Sequence, residues 1–190
     1  DQVLPLGWSQ DGRSLVFVVN DPKTGRDIWV LPLTGARTAM PLLQTSANDG
    51  HGQVSPDGRW LAYNANDTGE TEIYIRSFPE GSSRFQVSSG GGFYPRWRAD
   101  GAEIFYMNRG SAGALMAVDV LASGSTTVDL GTPRELFDSA YINLAHSGPY
   151  HPYAVAPDGQ RFLIPRPPSV GETTDAPIAV VMNWAAELKK

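Results

Sequence analysis

The sequence predicts an all-β chain: a β-propeller of four-stranded antiparallel blades, about four of them present as a partial propeller or as a ring closed by dimerisation. Three observations carry that prediction. One nine-residue phrase occurs four times, as SQDGRSLVF at 9–17, SPDGRWLAY at 55–63, RADGAEIFY at 98–106 and APDGQRFLI at 156–164. Its glycines lie 46, 43 and 58 residues apart. Repeats of about 40–45 residues are typical of propeller blades, the third interval carrying an insertion. The 190 residues include 20 glycines and 15 prolines but only 18% charged side chains, which suits short strands and tight turns better than long helices.

Each repeat reads as four strands in order. The first is short and ends three residues before the aspartate, at Trp8, Val54, Trp97 and Val155. The turn follows, built from Asp11-Gly12, Asp57-Gly58, Asp100-Gly101 and Asp158-Gly159. Asp-Gly between apolar alternations marks a hairpin because glycine accepts the positive φ such turns demand. The second strand carries Leu15, Leu61, Ile104 and Phe162, then Phe17, Tyr63, Tyr106 and Ile164 two residues on. Side chains two apart share one face of a strand.

A third strand is expected at 27–33 and 72–78, with looser versions at 114–120 and 177–184. A fourth is expected at 39–45, 84–90 and 133–139, the last repeat having none. The blades so defined run approximately 1–46, 47–90, 91–140 and 141–184 within a single propeller domain or fragment, and 185–190 form a tail pinned by Trp184 and Leu188. A small sheet of this kind cannot bury both faces alone, so Trp29, Tyr74, Trp60 and Tyr63 are expected to pack between blades.

Composition removes several functions. A net charge of −5 offers no basic surface for a phosphate backbone, so no nucleic-acid partner is expected. No apolar run approaches the roughly 20 residues needed to cross a bilayer, so no membrane insertion is expected within this segment. With no cysteine there is neither a disulfide nor a thiolate site. The chain opens at Asp1 without a methionine, and is expected to be a piece of a longer protein.

The SPDGRxLAY…EIYI pattern resembles the TolB-type propeller repeat, a relative of the tryptophan–aspartate repeats, closely in the first two units and loosely in the last two. The ending PIAVVMNWAAELKK resembles the C-terminus of propeller regions that follow a serine/threonine kinase or winged-helix domain in large bacterial proteins. The resemblance implies six or more blades, protein binding, sensing or scaffolding as the role, and an extracytoplasmic, periplasmic-side location. Four blades then imply either further blades upstream or a homodimer joined through the open blade edges.

The search for chemistry returns no catalytic residues, no metal site and no cofactor. No G-x-S-x-G elbow occurs, since EGSSR and AHSGPY both miss the spacing. His146 and His151 are five apart, which fits neither a helical nor a strand zinc pair. NANDTG at 64–69 begins like a calcium loop but places Ile75 where the bidentate glutamate belongs. The four repeated aspartates fall at one turn of successive blades, whereas a catalytic pair must converge on one substrate.

A ligand of a propeller sits at a mouth of the central channel, on the connections between blades. Here these are 46–53, 88–97 and 142–154, which nominate Asp49, His51, Phe93, Tyr94, Arg96, His146, Tyr150 and His151. Gly7, Gln53, Arg96 and Ala154 precede the Trp8-type position and are expected to face the axis. Arg96 would then offer a fork-shaped donor to a carboxylate. The functional expectation is a non-catalytic protein-interaction, sensory or scaffolding module of a larger protein, with a protein or peptide partner. The alternatives are a small-ligand or glycan-binding propeller, a lyase-type propeller using His151, Tyr150 and Arg96, and the gating part of a peptidase.

Overall fold

The structure is a computed structural model that describes residues 2–80, 83–108, 113–124, 126–138, 151–164 and 179–182. Among these residues there are sixteen strands and no helix. The first repeat forms a sheet of β1 (Val3–Trp8), β2 (Ser14–Asp21), β3 (Gly25–Pro32) and β4 (Met40–Leu43), in that spatial order. The second repeats it with β5 (Gly50–Val54), β6 (Trp60–Ala65), β7 (Glu72–Ser77) and β8 (Arg84–Gln86).

The third sheet consists of β9 (Phe93–Trp97), β10 (Glu103–Asn108), β11 (Ala114–Ser123), β12 (Val128–Leu130) and β13 (Arg134–Asp138). The fourth has β14 (Ala154–Val155), β15 (Arg161–Ile164) and β16 (Ala179–Met182). Every pairing is antiparallel, and β1, β5, β9 and β14 are the innermost strands of four sheets standing side by side, an arc of propeller blades.

One departure lies in the third blade, where β11 runs on to Ser123 and an extra strand, β12, appears. β13 pairs with β11 only from Ala114 to Ala117, leaving the distal half of β11 uncovered. β12 turns back to pair with Val120–Ser123 and covers it. The expected tail contacts of Trp184 and Leu188 lie outside the described residues.

The Asp-Gly turns share one geometry. Gly12, Gly58, Gly101 and Gly159 all have φ between 68° and 75°, and each donates its N–H to the carbonyl three residues back, at 2.9 Å. Each aspartate accepts the N–H two residues ahead: Asp11 from Arg13 at 3.0 Å, Asp57 from Arg59 at 3.0 Å, Asp100 from Ala102 at 2.9 Å and Asp158 from Gln160 at 3.0 Å. These carboxylates bind their own turns. In the first two blades Ser9 and Ser55 add a hydroxyl that donates to the same carboxylate at 2.6 Å. In the third, Arg98 replaces the serine, and its hydrogen bonds pull the Asp100 carboxyl down to about 2.

The cores lie between sheets. Val16, Val18, Ile28 and Val30 of the first blade meet Leu61, Tyr63 and Tyr74 of the second. Trp60, Ala62, Ile73 and Ile75 on its other side meet Ile104, Tyr106 and Val118 of the third. Phe105, Met107, Leu115 and Ala117 then meet Phe162 and Ile164 of the fourth. The residues three and five after each glycine thus face the preceding sheet, and those four after it face the next. Trp29 departs from the expectation. It is half-buried on the outer face of the first sheet beside Phe17, ring centroids 6.5 Å apart, because no described sheet covers that face.

Candidate functional site

Two inner strands are bent at the same place. His51 in β5 and Tyr94 in β9 each lie six residues before the turn aspartate, and both adopt positive φ, 52° and 58°. At each, two inner-strand residues oppose one on the neighbouring strand. The register passes from Gly50↔Asn64 to Gln53↔Ala62, and from Phe93↔Met107 to Arg96↔Phe105. Bulges of this kind re-aim side chains, and bulky residues at positive φ are uncommon and gather at functional sites. The equivalent residues in the outer blades are Pro5 and Pro152, whose rings fix a negative φ. Gly52 follows the first bulge in close packing, since a Cβ there would stand 3.3 Å from side-chain carbons of Leu6, Ile28 and Leu61.

The bulges bring three rings together. His51 and Tyr94 meet edge to face at 4.3 Å between centroids, and His151 stands 5.7 Å from His51 and 6.1 Å from Tyr94. His51 Nδ1 lies 2.5 Å from Asn64 Oδ1, and His151 Nε2 lies 3.2 Å from the Pro95 carbonyl. The Tyr153 hydroxyl donates to the Tyr94 carbonyl at 2.8 Å, fixing the second bulge from the fourth blade. Burial, together with the nearby Arg96 charge, pushes the His151 imidazole down to about 3, so it is neutral at physiological pH. Burial also lowers the pKa of Arg96, whose Nε is sealed from solvent without a partner among the described residues.

Beside these rings is a cavity of about 350 Å³, walled by Arg26, Asn48, Asp49, Gly50, His51, Asn64, Asn66, Thr71, Phe93 and Tyr94. Asp49 is 2% exposed, accepts the Thr45 hydroxyl at 3.1 Å, and is pushed up to about 6 by burial. Four of the sequence-nominated residues, Asp49, His51, Phe93 and Tyr94, therefore share one wall. Arg96 and His151 adjoin it behind the rings, and His146 and Tyr150 lie outside the described residues.

Sequence reasoning weighed Asn64 and Asn66 only as part of a calcium-type loop, and passed over Arg26, Asn48 and Thr71. The repeat register held the signal for them, because the loop between second and third strands opens at the same end of the sheet as the inter-blade entry. A second cavity, about 240 Å³, lies at the other end of the inner strands, among Trp8, Gln53, Val54, Trp97 and Val155. There Gln53 accepts both N–H groups of Trp97, on its side-chain oxygen at 2.9 Å and its carbonyl at 3.1 Å.

No family model matches the sequence. An uncharacterized protein of Agrobacterium fabrum is 30% identical over 105 residues, 54% of this chain, and the chain spans 34% of that relative's length. The structure of TolB from Acinetobacter baumannii matches 84% of this chain and 36% of its own at 20% identity, with a TM-score of 0.64. The fold is a TolB-type β-propeller. The structure of a puromycin-hydrolyzing peptidase of Mycobacterium tuberculosis matches 83% of this chain and 27% of its own at 19% identity, with a TM-score of 0.61. The same scaffold thus serves proteins of different activity, and function rests on the site. Among the described residues no helix is long and apolar enough to cross a membrane, and no three His, Asp or Glu side chains are placed to hold a metal ion.

Proposed function

We propose that the chain is the ligand-facing part of a non-catalytic interaction propeller, which takes a protein or peptide partner at the mouth formed by His51, Tyr94 and the cavity beside them. The observation that carries this reading is the pair of positive-φ bulges at equivalent positions of two adjacent blades. Strain repeated at one height of the channel, with both residues lining one cavity, supports a recognition role. A binding role suits the side chains better than proton transfer does. The His51 and His151 ring nitrogens named above are engaged with Asn64 and Pro95, and the Asp49 carboxyl is turned onto Thr45. General acid–base work needs such groups directed at substrate.

A library of displayed peptides panned against the 190-residue chain tests the reading. Enriched peptides are expected to lose at least tenfold in affinity on His51→Gly, which suits the positive φ, and on Asn64→Ala. Leu121→Ser, at an exposed side chain of β11 in the third blade, is expected to leave binding unchanged. Peptides that bind both mouth variants as well as the parent chain would remove the proposal.

A further inference from the structure

The cavity wall holds three carboxamides, and the oxygen of each is already engaged. Asn66 Oδ1 accepts the backbone N–H of Asn48 at 2.8 Å, Asn48 Oδ1 accepts that of Arg26 at 3.4 Å, and Asn64 Oδ1 meets His51 Nδ1 at 2.5 Å. A backbone N–H only donates, so the atom facing it on Asn66 and Asn48 is the oxygen, and the amino group is the one left over. None of the three Nδ2 groups has a partner among the described residues, and none is sealed from solvent. Arg26 lines the same cavity. The wall's carboxylate, Asp49, has one oxygen on Thr45 and its backbone N–H on the Arg26 carbonyl at 2.9 Å.

The cavity therefore offers three amide donor groups, beside the Asp49 carboxylate and the second lone pairs of the amide oxygens. A carboxylate only accepts, and charge-assisted bonds to amide and guanidinium donors are the strong kind. Resting on the interaction reading above, we infer that this cavity is a subsite for an aspartate or glutamate side chain of the partner peptide, held by the amino groups of Asn48, Asn64 and Asn66 with Arg26 beside them. The net charge of −5 gives no general attraction for acidic peptides, so recognition of one is local to this wall.

The test is an NMR titration of the ¹⁵N-labelled chain with acetyl-Gly-Asp-Glu-Gly-amide and its neutral isostere acetyl-Gly-Asn-Gln-Gly-amide, at neutral pH and equal ionic strength. The acidic peptide is expected to shift the side-chain NH₂ signals of Asn48, Asn64 and Asn66 and to bind at least tenfold more tightly than the isostere. Asn66→Asp keeps the acceptor for the Asn48 N–H but replaces the donor with an acceptor, and is expected to weaken binding more than Asn66→Ala does. Equal shifts with the isostere, no shift with either peptide, an Asn66→Asp chain that binds normally, or D-glucuronate producing the same shifts at the same concentration would each overturn the inference. Displayed peptides that need His51 yet carry no Asp or Glu would overturn it too while leaving the interaction reading intact.

Discussion

Glu72 shows how single side chains set the mouth in place. Its buried carboxylate accepts the Ser88 hydroxyl and the N–H groups of Gly90 and Gly91 at 2.9 and 3.0 Å, clasping the connection that delivers Phe93 and Tyr94. Gly92 finishes that connection under tight packing, since a Cβ there would collide with Ser88 Oγ and come 2.7 Å from Ile73 Cγ1. Gly92→Ala is expected to cost about 1–3 kcal/mol of stability in urea unfolding. Asp49 predicts a pH effect. Its carboxyl rises from an ordinary 3.8 to about 6 in the folded chain. Between those values the unfolded chain ionises while the folded chain keeps its proton, so stability falls as pH rises through that window. Asp49→Asn removes the loss and is expected to stabilise the chain by roughly 2 kcal/mol at pH 7.5, with the advantage gone at pH 4. His151 acts in the opposite sense, losing stability as pH falls below 6.5, and cancels when variant and parent are compared.

At the level of elements, the hairpin turns were readable and the bulges were not. Asp-Gly announces its turn because both residues act locally, one through positive φ and one through a carboxylate that reaches two residues ahead. These bonds differ between blades. Asp57 accepts the Ser55 hydroxyl, the Arg59 N–H and Arg59 Nε, whereas Asp158 accepts the Gln160 N–H and faces Arg161 at 3.4 Å. Asp57→Ala is therefore expected to lose about 1 kcal/mol more than Asp158→Ala in the same unfolding assay. The β12 strand escaped notice because it exists to cover the distal half of β11, a tertiary need that the polar stretch before Val128 does not display. Of the site, the inter-blade half was legible through its aromatic and imidazole residues. The carboxamide half was not, since Asn48, Asn64 and Asn66 read as ordinary loop polarity until three dimensions put them on one wall.

For the whole molecule, the repeat made the blade visible but left its outer faces unaccounted for. On the first sheet Leu15, Phe17 and Trp29 are half-buried while Val3 and Trp8 are 56% and 65% exposed. On the fourth, Leu163 is 42% exposed, although Val16, Ala62 and Phe105 at the equivalent position are buried. Apolar faces of this kind favour association. Light scattering is expected to show the apparent mass of the 190-residue chain rising with concentration, and Phe17→Asp is expected to abolish the rise.

The alternation between the two sides of a blade gives such contacts a direction. Residues at one parity look backward along the chain and those at the other look forward, so each described seam joins a backward side to a forward side. Like nested cups, the units add in one sense only. Copies joined in series obey that polarity at every seam.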